Sequence, residues 1–189
     1  MPDLLVRFHK MYPELIIEQS SSKRFGIMEA LQAGTIDFAI CVPSIKTDEK
    51  FHIRSETLMY EDVYVVFPPS HRFRNRKTVH ILELDGENYI TSPKGYAVRD
   101  AMDKHFTKMQ VKPYIVIETT DTISVMSYVK AASGFAFIPR TIVTKYPELE
   151  NECTVLTGID TREDVSVSWN EGKYKTQTQI LFFEFLRIF

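Results

Sequence analysis

Three short polar clusters hold the residues best suited to chemistry. Ser20-Ser21-Ser22-Lys23-Arg24, Thr91-Ser92-Pro93-Lys94-Gly95 and Thr119-Thr120-Asp121-Thr122 each stand between a strand-like apolar run and a helix-like stripe. In open α/β sheets, ligands bind just beyond the carboxyl ends of strands, at helix N-termini. Free backbone N–H groups and the positive end of the helix dipole favour an anion there. The hydroxyls add donors, and Lys23, Arg24 and Lys94 add charge. Singly, each cluster reads as a helix cap, since Ser, Thr and Asp commonly cap helices. Three together, two with cations, point to a small polar or anionic ligand held between lobes.

Other chemistries find less support. The glycines at 26, 34, 86, 95, 134, 158 and 172 are too widely spaced for G-x-G-x-x-G, a P-loop or G-x-S-x-G. The histidines at 9, 52, 71, 80 and 105 form no H-E-x-x-H pair. Cys41 and Cys153 are too few for a disulfide framework or a four-ligand zinc site, so no metal, cofactor or catalytic residue is expected. The basic stretch His71-Arg72-Phe73-Arg74-Asn75-Arg76-Lys77 lacks interleaved aromatics beyond Phe73 and reads as a solvated loop. Asp37 is expected to fix the turn after Gly34, Cys41 to be a small buried residue, and Trp169, Phe182 and Phe185 to be core.

The elements that must position these clusters alternate in the manner of an α/β protein. Leu4, Leu5, Phe8 and Met11 share one helical face, and Pro13 ends that helix. Leu15-Ile16-Ile17 reads as a strand. Phe25, Met28 and Leu31 make a helical stripe closed by Gly34 at C′. Runs at Phe38 to Val42, Val63 to Phe67, Tyr89-Ile90, Tyr114 to Ile117, Phe135 to Ile138 and Val165 to Trp169 read as strands. Val98, Met102, His105, Phe106 and Met109 mark one helix, Val125, Met126 and Val129 another, and Leu181 to Leu186 the last. Gly34…Phe38-Ala39-Ile40…Pro43 and Gly134-Phe135-Ala136-Phe137-Ile138-Pro139 follow the same plan, which suggests two lobes of like construction. Crossings are expected at Pro68 to His71 and Gly158 to Glu163, giving a first lobe of residues 1–69 plus 160–189 and a second of 70–159.

Composition agrees with a globular chain. Its 189 residues are 44% apolar and 25% charged, ample for a sizeable core. With 23 Lys+Arg against 25 Asp+Glu, a basic face that grips nucleic acid is not expected. Asp3, Arg7, His9 and Lys10 interrupt any signal-peptide core, and runs such as Val63 to Pro69 are too short to cross a bilayer. A soluble, cytoplasmic protein is the expectation.

The residues also carry a family likeness. Leu4-Leu5…Phe8…Tyr12-Pro13, Ala30-Leu31…Gly34…Ile36-Asp37-Phe38-Ala39-Ile40, Val65-Val66-Phe67-Pro68…His71 and Val129…Ala131…Gly134-Phe135-Ala136-Phe137-Ile138-Pro139-Arg140, with Phe182…Phe185-Leu186, stand in one order. That ordered set resembles the effector-binding domain of LysR-type transcriptional regulators over essentially the whole chain. The resemblance implies two Rossmann-like lobes joined by two crossover strands, as in type 2 periplasmic binding proteins. It also implies a small-molecule effector in the interlobe cleft and side-by-side homodimers, or tetramers at full length. DNA would be bound only through an N-terminal winged helix-turn-helix that this chain lacks.

The effector contacts are expected on Ser22, Lys23, Arg24, Thr91, Ser92 and Gly95 of the strand-end clusters and, by the resemblance, on Val42 and Thr120 as well as Arg24. Thr120 matches a hydroxyl position at a helix N-terminus. Arg24 stands where a small Ser or Thr is usual, and Val42 where some members place a carboxylate-binding arginine; Arg24 is expected to supply that charge. Ala132 stands where Gly is usual, which reads as a packing adjustment. Family domains start with a strand and a Ser/Thr-bearing loop before the helix at Leu4, so that strand and one wall of the site are expected to be missing. The alternative readings are a solute-binding protein of a transport system and an enzyme on the same fold.

Overall fold

The computed structural model describes residues 2–188. Its contacts divide the chain into two units, residues 1–58 with 166–189 and residues 59–165. The chain passes between them within β2 (Ile53–Glu61) and within β9 (Glu163–Asn170). The sequence reading places the crossings later and earlier, at Pro68 to His71 and Gly158 to Glu163. Val63–Val66, the β3 strand, sits in the middle of the second unit's sheet, with β7 (Phe135–Pro139) on one side and β8 (Cys153–Thr157) on the other.

The first unit contains α1 (Pro2–Met11), α2 (Arg24–Ala33), β1 (Ala39–Cys41) and α6 (Gln177–Ile188). Its three-stranded sheet has the order β1-β9-β2, with β1 and β9 antiparallel. Alternate residues of these strands feed opposite faces, as a period of two requires. On one face Ala39, Cys41 and Ile53 pack with Leu31 and Ile27 of α2. On the other, Ile40, Val167 and Trp169 pack with Leu4 of α1 and with Phe182, Phe183, Phe185 and Leu186 of α6. Trp169, Phe182 and Phe185 are therefore core, as expected.

The expected strand at Leu15-Ile16-Ile17 does not form. No described strand pairs with it, and an unpartnered extended segment has no ladder to close. Ile16 is 90% exposed in consequence. The structure adds three strands that the sequence reading does not assign: β2, β4 (Thr78–His80) and β8. In β2 the apolar residues are split, with Arg54, Ser55, Glu56 and Thr57 separating Ile53 from Leu58.

The second unit contains β3, β4, β5 (Asn88–Thr91), α3 (Ala97–Met109), β6 (Tyr114–Glu118), α4 (Thr122–Lys130), β7, α5 (Arg140–Lys145) and β8. Its mixed six-stranded sheet runs β4-β8-β3-β7-β5-β6. β5 is parallel to both β6 and β7, and β3 is antiparallel to β7 and β8. Val63, Val65, Phe135 and Phe137 face Met102 and Phe106 of α3. Val66, Ala136 and Ile138 face Val129 of α4 and Val143 of α5. Both faces of the sheet are thus covered by helices, which explains the continuous apolar runs read from β3 and β7.

The two repeated glycines do different work. Gly34 caps α2 with φ 72°, and its N–H reaches the carbonyls of Ala30 and Leu31. Gly134 instead permits close packing: a Cβ there would lie 2.5 Å from the Asn88 carbonyl oxygen. The left-handed turn after α4 is taken by Ala132, at φ 63°. The reading of Ala132 as a packing adjustment is corrected, since its backbone lies in the left-handed region.

Candidate functional site

In the first unit, Lys23 is the N-cap of α2 with extended backbone and no side-chain cap bond. The Ser cluster before it therefore does not cap this helix through its capping residue. Ser22 lies close over the first turn, since a Cβ on Gly26 would come within 2.7 Å of its hydroxyl oxygen. The first N–H groups of α2 have no intrahelical acceptor, by helix geometry, and they open beside Ser22 and Lys23.

Arg24 begins α2 and donates to the carbonyls of Pro43 and Ser44, the latter at 3.2 Å. It thereby fastens the loop that follows β1, where Val42 is half-buried and joined to Pro43 by a cis peptide. The structure so brings Ser22, Lys23, Arg24 and Val42 together at the carboxyl end of β1. Arg24 differs from a simple counter-charge in that its guanidinium is already engaged with backbone oxygens. Its positive charge also opposes the rise that burial imposes on the Cys41 thiol. Cys41 is a small buried residue, as expected.

In the second unit, the carboxyl ends of the parallel neighbours β5 and β6 lie side by side, with Thr91 opposite Glu118. The Thr119 N–H donates to the Thr91 carbonyl at 2.9 Å and continues the pairing past the strand end. The Thr91 side chain is buried, and its hydroxyl donates to the Tyr89 hydroxyl at 2.9 Å. It is turned into the core and anchors the loop rather than presenting a donor. Burial holds the Tyr89 phenol well above its ordinary pKa, so it stays protonated. Ser92 is half-buried and Thr120 exposed. Gly95 adopts φ 94°, a conformation that favours glycine, and its N–H donates to Asp100 at 2.9 Å.

Capping is real at the third cluster. Asp121 is the N-cap of α4, accepting from the Ser124 N–H at 2.8 Å and the Ser124 hydroxyl at 2.6 Å. These bonds lower the Asp121 pKa. Thr120, immediately before the cap, is left with its side chain in the open.

Sequence reasoning misses Arg99. This side chain is 4% exposed and donates to Asp103 at 2.7 Å, Glu118 at 2.7 Å and the Ser92 carbonyl at 3.2 Å. It ties α3, the end of β6 and the Ser92 loop together. Its i,i+4 spacing to Asp103 was the available signal, but that pattern usually marks an exposed helix face.

The basic stretch at 71–77 spends its charge internally. His71 and Arg72 meet Glu87, Arg74 meets Glu152 and Arg76 meets Glu83. Burial raises the Glu87 pKa, but the bonds from His71 and Arg72 outweigh it and hold the carboxyl below its usual range. Asp37, in the bend between α2 and β1, accepts from Gln179 and so ties that bend to α6. Among the described residues, no group of His, Cys, Asp and Glu could hold a metal ion, and no helix is long and apolar enough to cross a membrane.

The strand-end loops invite comparison with known proteins. The family model described as "LysR substrate binding domain" matches residues 1–188. Relatives include an uncharacterised HTH-type transcriptional regulator, YybE of Bacillus subtilis, 26% identical over 92% of this chain and 58% of its own length. The transcriptional activator LysR of Escherichia coli is 28% identical over 73% of this chain and 43% of its own. The chain thus spans about half the length of the curated relatives it matches. Among solved structures, the CcmR regulatory domain of Synechocystis in complex with 2-PG aligns with a TM-score of 0.85 at 17% identity, covering 99% of this chain and 89% of that one. The effector-binding domain of QuiR in complex with shikimate aligns at 0.80 and 18% identity, covering 99% and 88%. These likenesses show the fold, that of type 2 periplasmic binding proteins. The curated relatives are regulators, which supports effector sensing over transport or catalysis. This chain belongs to the LysR substrate-binding domain family, the effector-binding domains of LysR-type transcriptional regulators.

Proposed function

We propose that the chain senses a small polar or anionic metabolite through the loops at the carboxyl ends of β1, β5 and β6. Ser22, Lys23, Arg24 and the Val42 loop supply one set of contacts, and Ser92, Gly95 and Thr120 the other. Thr91 acts by anchoring its loop. The observation that carries this reading is the exposed hydroxyl and cation set at these strand ends, beside the N-terminus of α2, which no side chain of its capping residue closes. The neighbours in complex with 2-PG and with shikimate support a small ligand.

The sensing chain works as a homodimer in the cytoplasm, within a longer regulator whose winged helix-turn-helix binds DNA. An effector that favours one arrangement of the two units shifts the population and alters how the DNA-binding part sits. Coupling of this kind requires only a difference in effector affinity between arrangements.

Thermal melting of the chain against 2-PG, shikimate and a panel of small carboxylates and phosphates tests the reading. A cognate effector at about 100 times its Kd should raise the Tm by roughly 5–10 °C. Thr120→Val and Lys23→Ala should each weaken that effector several-fold. Turnover of the stabilising compound, or no stabilisation by any polar or anionic compound, would overturn the proposal.

A further inference from the structure

Arg99 joins two loops through a single atom. Its Nε donates to Asp103, one turn along α3, at 2.7 Å. Its Nη1 donates both to the Ser92 carbonyl at 3.2 Å and to Glu118 Oε1 at 2.7 Å. Ser92 follows β5 and Glu118 ends β6, so one nitrogen links the ends of two neighbouring strands. Burying a guanidinium is costly, and an apolar side chain of similar volume could fill the space. An apolar side chain could not hold a carbonyl and a carboxylate from two loops.

The carboxylates around these loops have separate tasks. Asp100 accepts from the Gly95 N–H, and Asp121 is spent on the first turn of α4. Asp103 meets Arg99 within α3. Glu118 stands two residues before Thr120, and its side chain is 46% exposed. Among the described residues, its one ion-pair partner is Arg99. Removing the guanidinium would leave a bare carboxylate beside the loops that carry Ser92 and Thr120. A like charge at that distance repels an anion.

We propose that Arg99 is a positioning residue that sets the charge preference of the second unit's strand-end loops. Its guanidinium fixes the Ser92 and Thr120 loops relative to each other and offsets the Glu118 carboxylate, so that these loops accept an anionic ligand. At 4% exposed, Arg99 acts through Ser92 and Glu118 rather than by touching the ligand. This role rests on effector binding at the strand-end loops. Arg99, Asp103 and Glu118 form one cation against two carboxylates. Arg99→Gln makes that trio more negative by one charge, Glu118→Gln more positive by one, and the double change restores the parent's value.

The thiol of a Thr120→Cys chain reads this charge without any ligand. Iodoacetamide labelling against pH, followed by mass spectrometry of that peptide, separates it from Cys41 and Cys153. Arg99→Gln should raise the labelling midpoint by about half a pH unit or more, because a bare carboxylate disfavours the thiolate. Glu118→Gln should lower it, and the double variant should return it to the parent's value. In the melting panel of 2-PG, shikimate, carboxylates and phosphates, an anion that stabilises the parent should bind Arg99→Gln about fivefold more weakly or worse. The double variant should recover to within about threefold of the parent, whereas a merely structural part would leave it no better than the single. Midpoints unmoved by Arg99→Gln, or a double variant no closer to the parent, would overturn the proposal. Where Arg99→Gln does not fold, an unmoved midpoint in Glu118→Gln overturns it equally. Should no panel compound stabilise the parent, effector binding at these loops falls, and the thiol midpoints still decide whether Arg99 sets their charge.

Discussion

Arg24 donates to the carbonyls of Pro43 and Ser44 and so does two jobs, shaping the loop after β1 and placing positive charge beside it. Arg24→Ala should weaken an anionic effector at least tenfold in a calorimetric titration. Arg24→Lys should recover only part of that loss, because one ammonium cannot reproduce a planar fork on two carbonyls. Equal affinity for all three chains would remove Arg24 from the site. Arg99 sits deeper, and its removal would leave Glu118, Asp103 and the Ser92 carbonyl without their shared donor. Arg99→Ala should cost about 2–3 kcal/mol in urea unfolding, the range for bonds to charged groups. A loss within about 0.5 kcal/mol, the usual range for a surface change, would contradict the anchoring role.

At the scale of elements, α4 depends on Asp121 for its first turn. Because bonding from Ser124 and Ile123 lowers the Asp121 pKa, the carboxylate's contribution is full above its unfolded value. It is lost only as pH falls through the lower folded value, below the ordinary 3.8. Amide exchange at Ile123 and Ser124 should accelerate in that acid window, and Asp121→Ala should give the same acceleration at neutral pH. At the other end of the helix, Ala132 holds φ 63° without a glycine's freedom. Ala132→Gly should stabilise the second unit by about 1 kcal/mol in thermal or urea unfolding, since the left-handed region disfavours a Cβ. A destabilised variant would show that the turn is not strained.

Strands made of continuous apolar runs were the readable ones, even where, as in β6, the strand is largely exposed. Phe38 to Val42, Val63 to Phe67 and Phe135 to Ile138 announce themselves as continuous apolar runs, and each forms within a residue or two of the reading. β2 escaped because Arg54 and Glu56 interrupt its apolar residues, and β8 because a buried Thr154 breaks its run. Leu15-Ile16-Ile17 had the composition of a strand, but a strand exists only with a partner, and that is not a local property. The site shows the same division. Cluster positions at strand ends were legible, since order along the chain places them there. Which hydroxyl turns inward was not: Thr91 and Ser92 are adjacent, yet only the pleat of β5 buries the first.

At the scale of the whole molecule, each of the two units brings a helix N-terminus and a polar loop to a strand end, and the chain belongs to the LysR substrate-binding domain family. Hydrogen–deuterium exchange of the chain, with and without the compound that most raises its Tm, tests this most directly. The account predicts protection concentrated at residues 20–24, 42–44, 91–95 and 119–122, with Thr120→Val reducing it in all four segments together. Protection confined to other parts of the chain, or none at saturating compound, would contradict it.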